Sequence, residues 1–176
     1  SPEIRSINQS MAYLEKTGMA VVRLSFSLGD RTGLADFLVD ASSGEIAALV
    51  KAPHVWRMRL GAEGAVGAKY LSRKESRIAG MIGAGRAGRV LLEAITKVRD
   101  IERVYVYAGR ESDFPLAREY AREMSEKLDM QVTSCRGAEE VVTNADILTT
   151  ATMATDPIVK GEWIAKGLHI NAFGAD

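Results

Sequence analysis

Gly83, Gly85 and Gly88 have the spacing for anion chemistry, within the loop Gly83-Ala84-Gly85-Arg86-Ala87-Gly88. The apolar run Ile78-Ala79-Gly80-Met81-Ile82 precedes the loop, and Ala87, Val90, Leu91, Ala94, Ile95 and Val98 follow at helical spacing. The pattern reads as a strand, a tight glycine turn and a helix with one apolar stripe. A helix N-terminus offers unpaired N–H groups and the positive end of the helix dipole, so it stabilises an anion. In a G-x-G-x-x-G loop the first glycine makes the turn and the second lets a pyrophosphate approach the backbone. The third lets helix and strand pack closely. The stretch is therefore read as a dinucleotide-binding loop; the plainer alternative is a structural glycine turn.

An NAD site places an acid about twenty residues past this loop, where it binds the ribose 2′-hydroxyl. Here the next strand is Val104-Tyr105-Val106-Tyr107, followed by Ala108-Gly109-Arg110-Glu111-Ser112. No acid stands at the strand end. Arg110 and Ser112 suit a 2′-phosphate, and the guanidinium can also stack on adenine. These residues favour NADP(H) over NAD(H), although Glu111 argues the other way and Arg110 also reads as a solvated turn residue.

The elements that must position this loop alternate. Strands are expected over 104–107, 130–133, 146–150 and 168–172, with helices over about 115–128 and 138–144 and a short helical or turn connection over 161–166. This alternation predicts an α/β fold, a Rossmann-type doubly wound parallel sheet that binds ligands beyond the carboxyl ends of its strands. The helix over 115–128 should bury Leu116, Ala117, Tyr120, Ala121, Met124 and Leu128. Its solvated face should carry Arg118, Glu119, Arg122, Glu123, Glu126 and Lys127, with Arg122/Glu126 and Glu123/Lys127 spaced to pair.

The N-terminal part reads differently. Residues 1–18 are weakly patterned, with Met11, Tyr13 and Leu14 as expected anchors. A strand over 19–26, a turn over 29–33 and strands over 34–40 and 45–50 joined by Ala41-Ser42-Ser43-Gly44 suggest a small, mostly β region. A helix over 57–71 follows, dense in Gly61, Ala62, Gly64, Ala65, Gly67 and Ala68. Each helical glycine costs about 1 kcal/mol against alanine, so close packing or a ligand must offset it.

At 176 residues the chain allows one domain, or one and a partial second. Its 23 basic and 23 acidic residues give no field for nucleic acid, and no apolar run is long enough to span a membrane. The single Cys135 excludes an internal disulfide and fits a cytoplasmic protein. Cys135, His54 and His169 show no metal-ligand spacing, so no metal is expected. The chain opens Ser-Pro without methionine, which suggests trimming or a start inside a longer protein.

Together these segments resemble the ornithine cyclodeaminase/mu-crystallin family over about Asp40 to Asp176. Asp40 through Gly44 resembles its D-x-x-T-G turn, with Ser43 in place of threonine. Arg59-Leu60-Gly61-Ala62 through Ala68-Lys69-Tyr70-Leu71 resembles its R-T-G/A-A…A-K-Y-L helix. Asn144-Ala145-Asp146-Ile147 with Thr149-Thr150-Ala151-Thr152 and Asp156-Pro157 resembles A-D-I-V-x-T-A-T…P. Gly167-Leu168-His169-Ile170-Asn171-Ala172-Phe173-Gly174-Ala175-Asp176 is similar to G-x-H-I-N-A-V-G-A-D, the most specific block.

The resemblance implies an NAD(P)-dependent, dimeric protein acting on a small amino or imino acid, by dehydrogenase, ketimine reductase or cyclodeaminase chemistry. It implies that Arg59 holds the substrate carboxylate, that Asp176 is the catalytic aspartate, and that Thr150 and Thr152 line the nicotinamide side. It also implies that residues 1–60 are a partial substrate-binding or dimerisation region and 61–176 the dinucleotide-binding domain. Two departures stand out. The family carries a lysine on an N-terminal strand, where Ala20-Val21-Val22-Arg23 offers Arg23 or nothing. The family also continues past its G-A-D block, so a piece of a longer protein is expected. The alternative function is a mu-crystallin-like holder of NADP(H) without catalysis.

Overall fold

Strand-forming residues dominate the first third of the chain, and they pair as an antiparallel sheet in the order β1-β2-β3-β4. These are β1 (Ile4–Leu14), β2 (Met19–Leu28), β3 (Arg31–Asp40) and β4 (Ile46–Lys51). The computed structural model describes residues 4–28 and 31–173. The chain divides into two compact units, Ser1–Arg57 and Met58–Asp176.

In the first unit the expected β3–β4 hairpin forms through Ala41-Ser42-Ser43-Gly44. Asp40 builds its turn: the carboxylate accepts from the Ser42 N–H at 2.8 Å, the Ser42 hydroxyl at 2.6 Å and the Ser43 N–H at 3.3 Å. Those donors hold the Asp40 carboxyl below its ordinary pKa.

The turn expected over 29–33 falls partly on residues that are not described. Gly29 and Asp30 lie outside the described residues, while Arg31, Thr32 and Gly33 already belong to β3. Gly33 pairs with Phe26 across the sheet, and a Cβ on Gly33 would lie 2.0 Å from Phe26 Cζ. The aromatic ring thus covers a glycine that would otherwise weaken the strand.

Residues 4–14, weakly patterned in sequence, also form a strand. Met11, Tyr13 and Leu14 do not act as buried anchors; they are 76%, 60% and 55% exposed. The register explains this for Met11 and Tyr13. Ile7, Met11 and Tyr13 share a sheet face with Phe26, Leu24, Phe37, Val39, Leu49 and Ile46, and that face is mostly apolar, with Gln9 and Lys51 as its polar members. Among its described residues the first unit is a single sheet layer, with no second layer of its own to cover that face.

The second unit holds a parallel sheet in the order β7-β6-β5-β8-β9. Its strands are β5 (Ile78–Ile82), β6 (Arg103–Tyr107), β7 (Gln131–Ser134), β8 (Ile147–Thr150) and β9 (His169–Ala172). Helices α2 (Arg86–Thr96), α3 (Phe114–Leu128) and α4 (Ala138–Asn144) connect successive strands, so the expected doubly wound fold is present. The core gathers Met81, Leu91, Leu92, Ile95, Val104, Tyr120, Met124 and Ile147. Asp146 fixes the start of β5: its carboxylate accepts from the Arg77 N–H at 2.9 Å, the Ile78 N–H at 3.0 Å and Arg73 Nη2 at 2.8 Å.

Helix α1 (Pro53–Leu71) carries the glycine-rich run. Packing accounts for it. A Cβ on Gly61 would meet Val90 Cγ1 at 2.8 Å, one on Gly64 would meet Leu91 Cδ2 at 2.7 Å, and one on Gly67 would meet Asn171 Oδ1 at 2.8 Å. Asn171 Nδ2 also donates to the Gly64 carbonyl at 3.2 Å, and its Oδ1 lies 2.9 Å from His169 Nε2. The His-x-Asn of the last sequence block therefore ties β9 to α1. No helix among the described residues is long and apolar enough to cross a membrane.

Candidate functional site

Strand order reverses at β5, whose neighbours are β6 on one side and β8 on the other. Loops leaving such strands in opposite directions open a crevice at their carboxyl ends. The Gly83 N–H donates to the Tyr107 carbonyl and the Ala151 N–H to that of Ile82, each at 2.8 Å, so the three strand ends are held level.

The three glycines have different physical reasons to be glycine. Gly83 sits at φ +115°, and a Cβ there would lie 2.3 Å from the Ala151 carbonyl oxygen. Gly88 is pressed beneath the loop, with a Cβ position 2.4 Å from the Gly83 carbonyl oxygen. Gly85 is unlike both: its φ is −83°, and a Cβ would meet nothing within 4 Å. The chain itself does not require glycine at Gly85. It is also the N-cap of α2, so no capping side chain covers the helix end.

A cleft of about 740 Å³ opens over this end of α2. Gly83, Ala84, Gly85, Arg86, Arg110 and Thr152 all line it, which brings together residues expected from three separate strand ends. Ala87 packs against the core and Gly88 is buried, so both support the loop from below. Arg86 and Arg110 are exposed and make no ion pair with another described residue. Ser112 is not part of the lining. It lies in the short 3₁₀ turn Glu111–Asp113, its hydroxyl 3.3 Å from Asp113 Oδ1, and Asp113 lines the cleft instead.

Thr150 and Thr152 line a second cavity of about 470 Å³, with Asp156, Ile170 and Ala172. Thr152 and Ala154 belong to both linings, so the two spaces adjoin. Asp176, four positions beyond the end of β9, lies outside the described residues.

The two arginines expected at the substrate have partners in this structure. Arg59 is half-exposed on α1 and pairs with Glu63 one turn later. Arg23 grips Asp36 with two prongs, Nε to Oδ1 and Nη2 to Oδ2, both at 2.7 Å. The hydrogen bonds that Arg23 donates to Asp36 raise its pKa further, so its charge is permanent.

Helix α3 departs from the expected faces in ways that concern the cleft. Leu116 is 53% exposed and lines the cleft, as does Glu119, so this part of the helix faces open space. Glu123 pairs with Arg89 rather than Lys127, and Lys127 reaches Glu93; only Arg122/Glu126 pairs as spaced. Periodicity separates buried from exposed positions, but it cannot say which neighbour an exposed charge will find. Arg89, which no motif in the sequence marks as a site residue, also lines the cleft.

Residues 30–176 match the family described as ornithine cyclodeaminase/mu-crystallin. The chain belongs to that family. Among its relatives, an alanine dehydrogenase of Archaeoglobus fulgidus is 38% identical over 129 residues, covering 73% of this chain and 38% of that protein. A Δ(1)-pyrroline-2-carboxylate reductase of Bacillus cereus is 34% identical over 172 residues, covering 97% and 51%. The structure of the Thermococcus litoralis Δ(1)-pyrroline-2-carboxylate reductase, in complex with NADH and L-proline, superposes with a TM-score of 0.77 at 32% identity. That match covers 96% of this chain and 58% of that one. The chain thus spans about half the length, or less, of the curated ornithine cyclodeaminase/mu-crystallin relatives it matches.

Proposed function

We propose that the whole protein is an NAD(P)-dependent oxidoreductase acting on a small amino or imino acid, with cyclodeaminase chemistry as a variant of the same step. Gly85 carries this reading: the open space at its Cβ position, over an uncapped helix N-terminus, is a cradle for the pyrophosphate of a dinucleotide. A relative is seen with NADH and L-proline, which supports the same cofactor and substrate class. Arg110, exposed in the cleft after β6 with no acid at the strand end, supports NADP(H) over NAD(H). Ser112 supports it less, since it lies outside the lining.

The bound nicotinamide supplies hydride transfer. The chain's own residues orient the substrate and handle protons. In this proposal Arg59 exchanges Glu63 for the substrate carboxylate, for which its fork is well shaped. Thr150 and Thr152, which line the adjoining cavity, would border the nicotinamide side of the cofactor. Asp176 holds or moves the proton on the substrate nitrogen, since β9 ends beside that cavity and Asp176 follows shortly.

The first unit we read as the partial substrate-binding and dimerisation region. Its uncovered apolar face, with Ile7, Ile46 and Leu49 all above 60% exposed, supports a homodimer built on that sheet. A cytoplasmic location fits the lone, buried, reduced cysteine. A second reading, a holder of NADP(H) without turnover, is favoured by one observation: Arg23 is occupied by Asp36 and cannot exchange protons near neutral pH.

The test is a titration of NADH and NADPH, followed by a screen of cyclic imines and 2-oxo acids with ammonia in which cofactor absorbance is followed. Binding with turnover supports the oxidoreductase, binding without turnover supports the holder, and no binding removes both.

A further inference from the structure

We propose that Arg89 is a positioning residue that aims the amides of the glycine loop at the pyrophosphate; this rests on the dinucleotide reading of the cleft. Arg89 Nη1 donates to the Ala84 carbonyl at 2.6 Å and to the Gly85 carbonyl at 3.2 Å. In a trans peptide the N–H points opposite to the C=O. Holding the Ala84 and Gly85 carbonyls against Arg89 therefore turns the Gly85 and Arg86 N–H groups the other way. Those two amides belong to the loop and the first residue of α2, where a pyrophosphate would be received. The Gly85 carbonyl also accepts the first backbone bond of α2, from the Arg89 N–H at 3.3 Å, so what the guanidinium adds is above all its hold on the Ala84 carbonyl and, through that peptide, on the Gly85 N–H.

Arg89 is itself fixed from α3. Its Nε donates to Glu123 Oε2 at 2.8 Å, and Nη2 lies 2.6 Å from the same oxygen. Its guanidinium stands 5.1 Å from the centroid of the buried Tyr120 ring. The Tyr120 hydroxyl donates to the Gly88 carbonyl at 3.0 Å, so one helix secures both ends of the loop. Glu123 also decides what Arg89 does with its charge. Paired, the guanidinium stays on the carbonyls; unpaired, it would be free to swing into the cleft as a loose cation.

The experiment compares wild type with Arg89→Met and Arg89→Lys by calorimetric titration of NADH, NADPH and ADP-ribose, with melting of the unliganded protein alongside. The three ligands share the pyrophosphate, so Arg89→Met should weaken all of them by one common factor of about tenfold. Arg89→Lys, which keeps a donor for the Ala84 carbonyl, should recover part of the loss. The Gly85 amide resonance, shifted by NADH in wild type, should shift much less in Arg89→Met. Affinities equal to wild type, or a loss confined to NADPH, would overturn the proposal. Should Arg89→Met fail to fold, Glu123→Gln keeps the arginine and loosens its anchor. A common, smaller loss there supports the proposal, and no loss overturns it. Wild type that binds none of the three ligands would instead remove the dinucleotide reading itself.

Discussion

Arg23 and Asp36 face each other across β2 and β3 and join through two hydrogen bonds of 2.7 Å, with side chains only 21% and 11% exposed. The pair stands where the family resemblance leads one to look for a substrate-facing lysine. A largely buried, two-pronged pair of this kind is expected to be structural. Asp36→Ala should therefore destabilise the protein by about 1–3 kcal/mol, because it leaves a partly buried guanidinium unpaired. Replacing both residues by methionine and leucine should recover most of that loss in urea unfolding. If Arg23 instead serves the substrate, Arg23→Met will raise KM with little effect on stability.

Arg110 should distinguish the two cofactors. Loss of a charge-assisted contact to a 2′-phosphate costs about 1.5–3 kcal/mol, so Arg110→Ala should weaken NADPH tenfold or more and leave NADH nearly unchanged. Equal, small losses for both would return Arg110 to solvent and reopen the choice of NAD(H).

Much of the second unit is legible in the amino-acid sequence, because its signals are local. The run from Ile78 to Gly88 needs only neighbouring residues to announce strand, turn and helix, and the sheet order then follows from known connection rules. The loop's place in the cleft is legible for the same reason. Partners distant in the chain are not. Arg89 and Glu123 are 34 residues apart, and either alone reads as a solvated charge. Residues 4–14 escape a local reading because a strand in an uncovered sheet shows its apolar alternation only once its partners are known. The place of Ser112 beside the lining is not legible either, because a 3₁₀ turn, which has no strong sequence mark, sets Asp113 rather than its neighbour into the cleft.

Cys135 should be unreactive in the folded protein. It is buried, and burial together with the nearby Glu140 pushes its thiol up to about 12. Its folded pKa lies above its unfolded value, so the stability linked to this group is complete below pH of about 9 and is lost as pH rises towards 12. At pH 8 an aromatic disulfide reagent should react with Cys135 only after denaturation. Fast stoichiometric reaction of the native protein would contradict its burial.

Asp176 is the proposed acid/base, and Asp176→Asn keeps the shape while removing the proton function. On the full-length protein kcat should fall by about 10²–10⁴ with cofactor affinity almost unchanged. An unaltered kcat across the pH range would make Asp176 structural.

The central claim is that the cleft over α2 receives a dinucleotide at Gly85, and one comparison tests it most directly. Isothermal titration of NADPH and NADH should be run on wild type and Gly85→Val, with thermal unfolding of each. The Cβ position at Gly85 is empty and its φ is ordinary, so the variant should fold and lose no more than the cost of a poorer helix cap, about 1 kcal/mol. Measurable binding to wild type and none to Gly85→Val is the expected result. A variant that folds and binds either cofactor with wild-type affinity would contradict the claim.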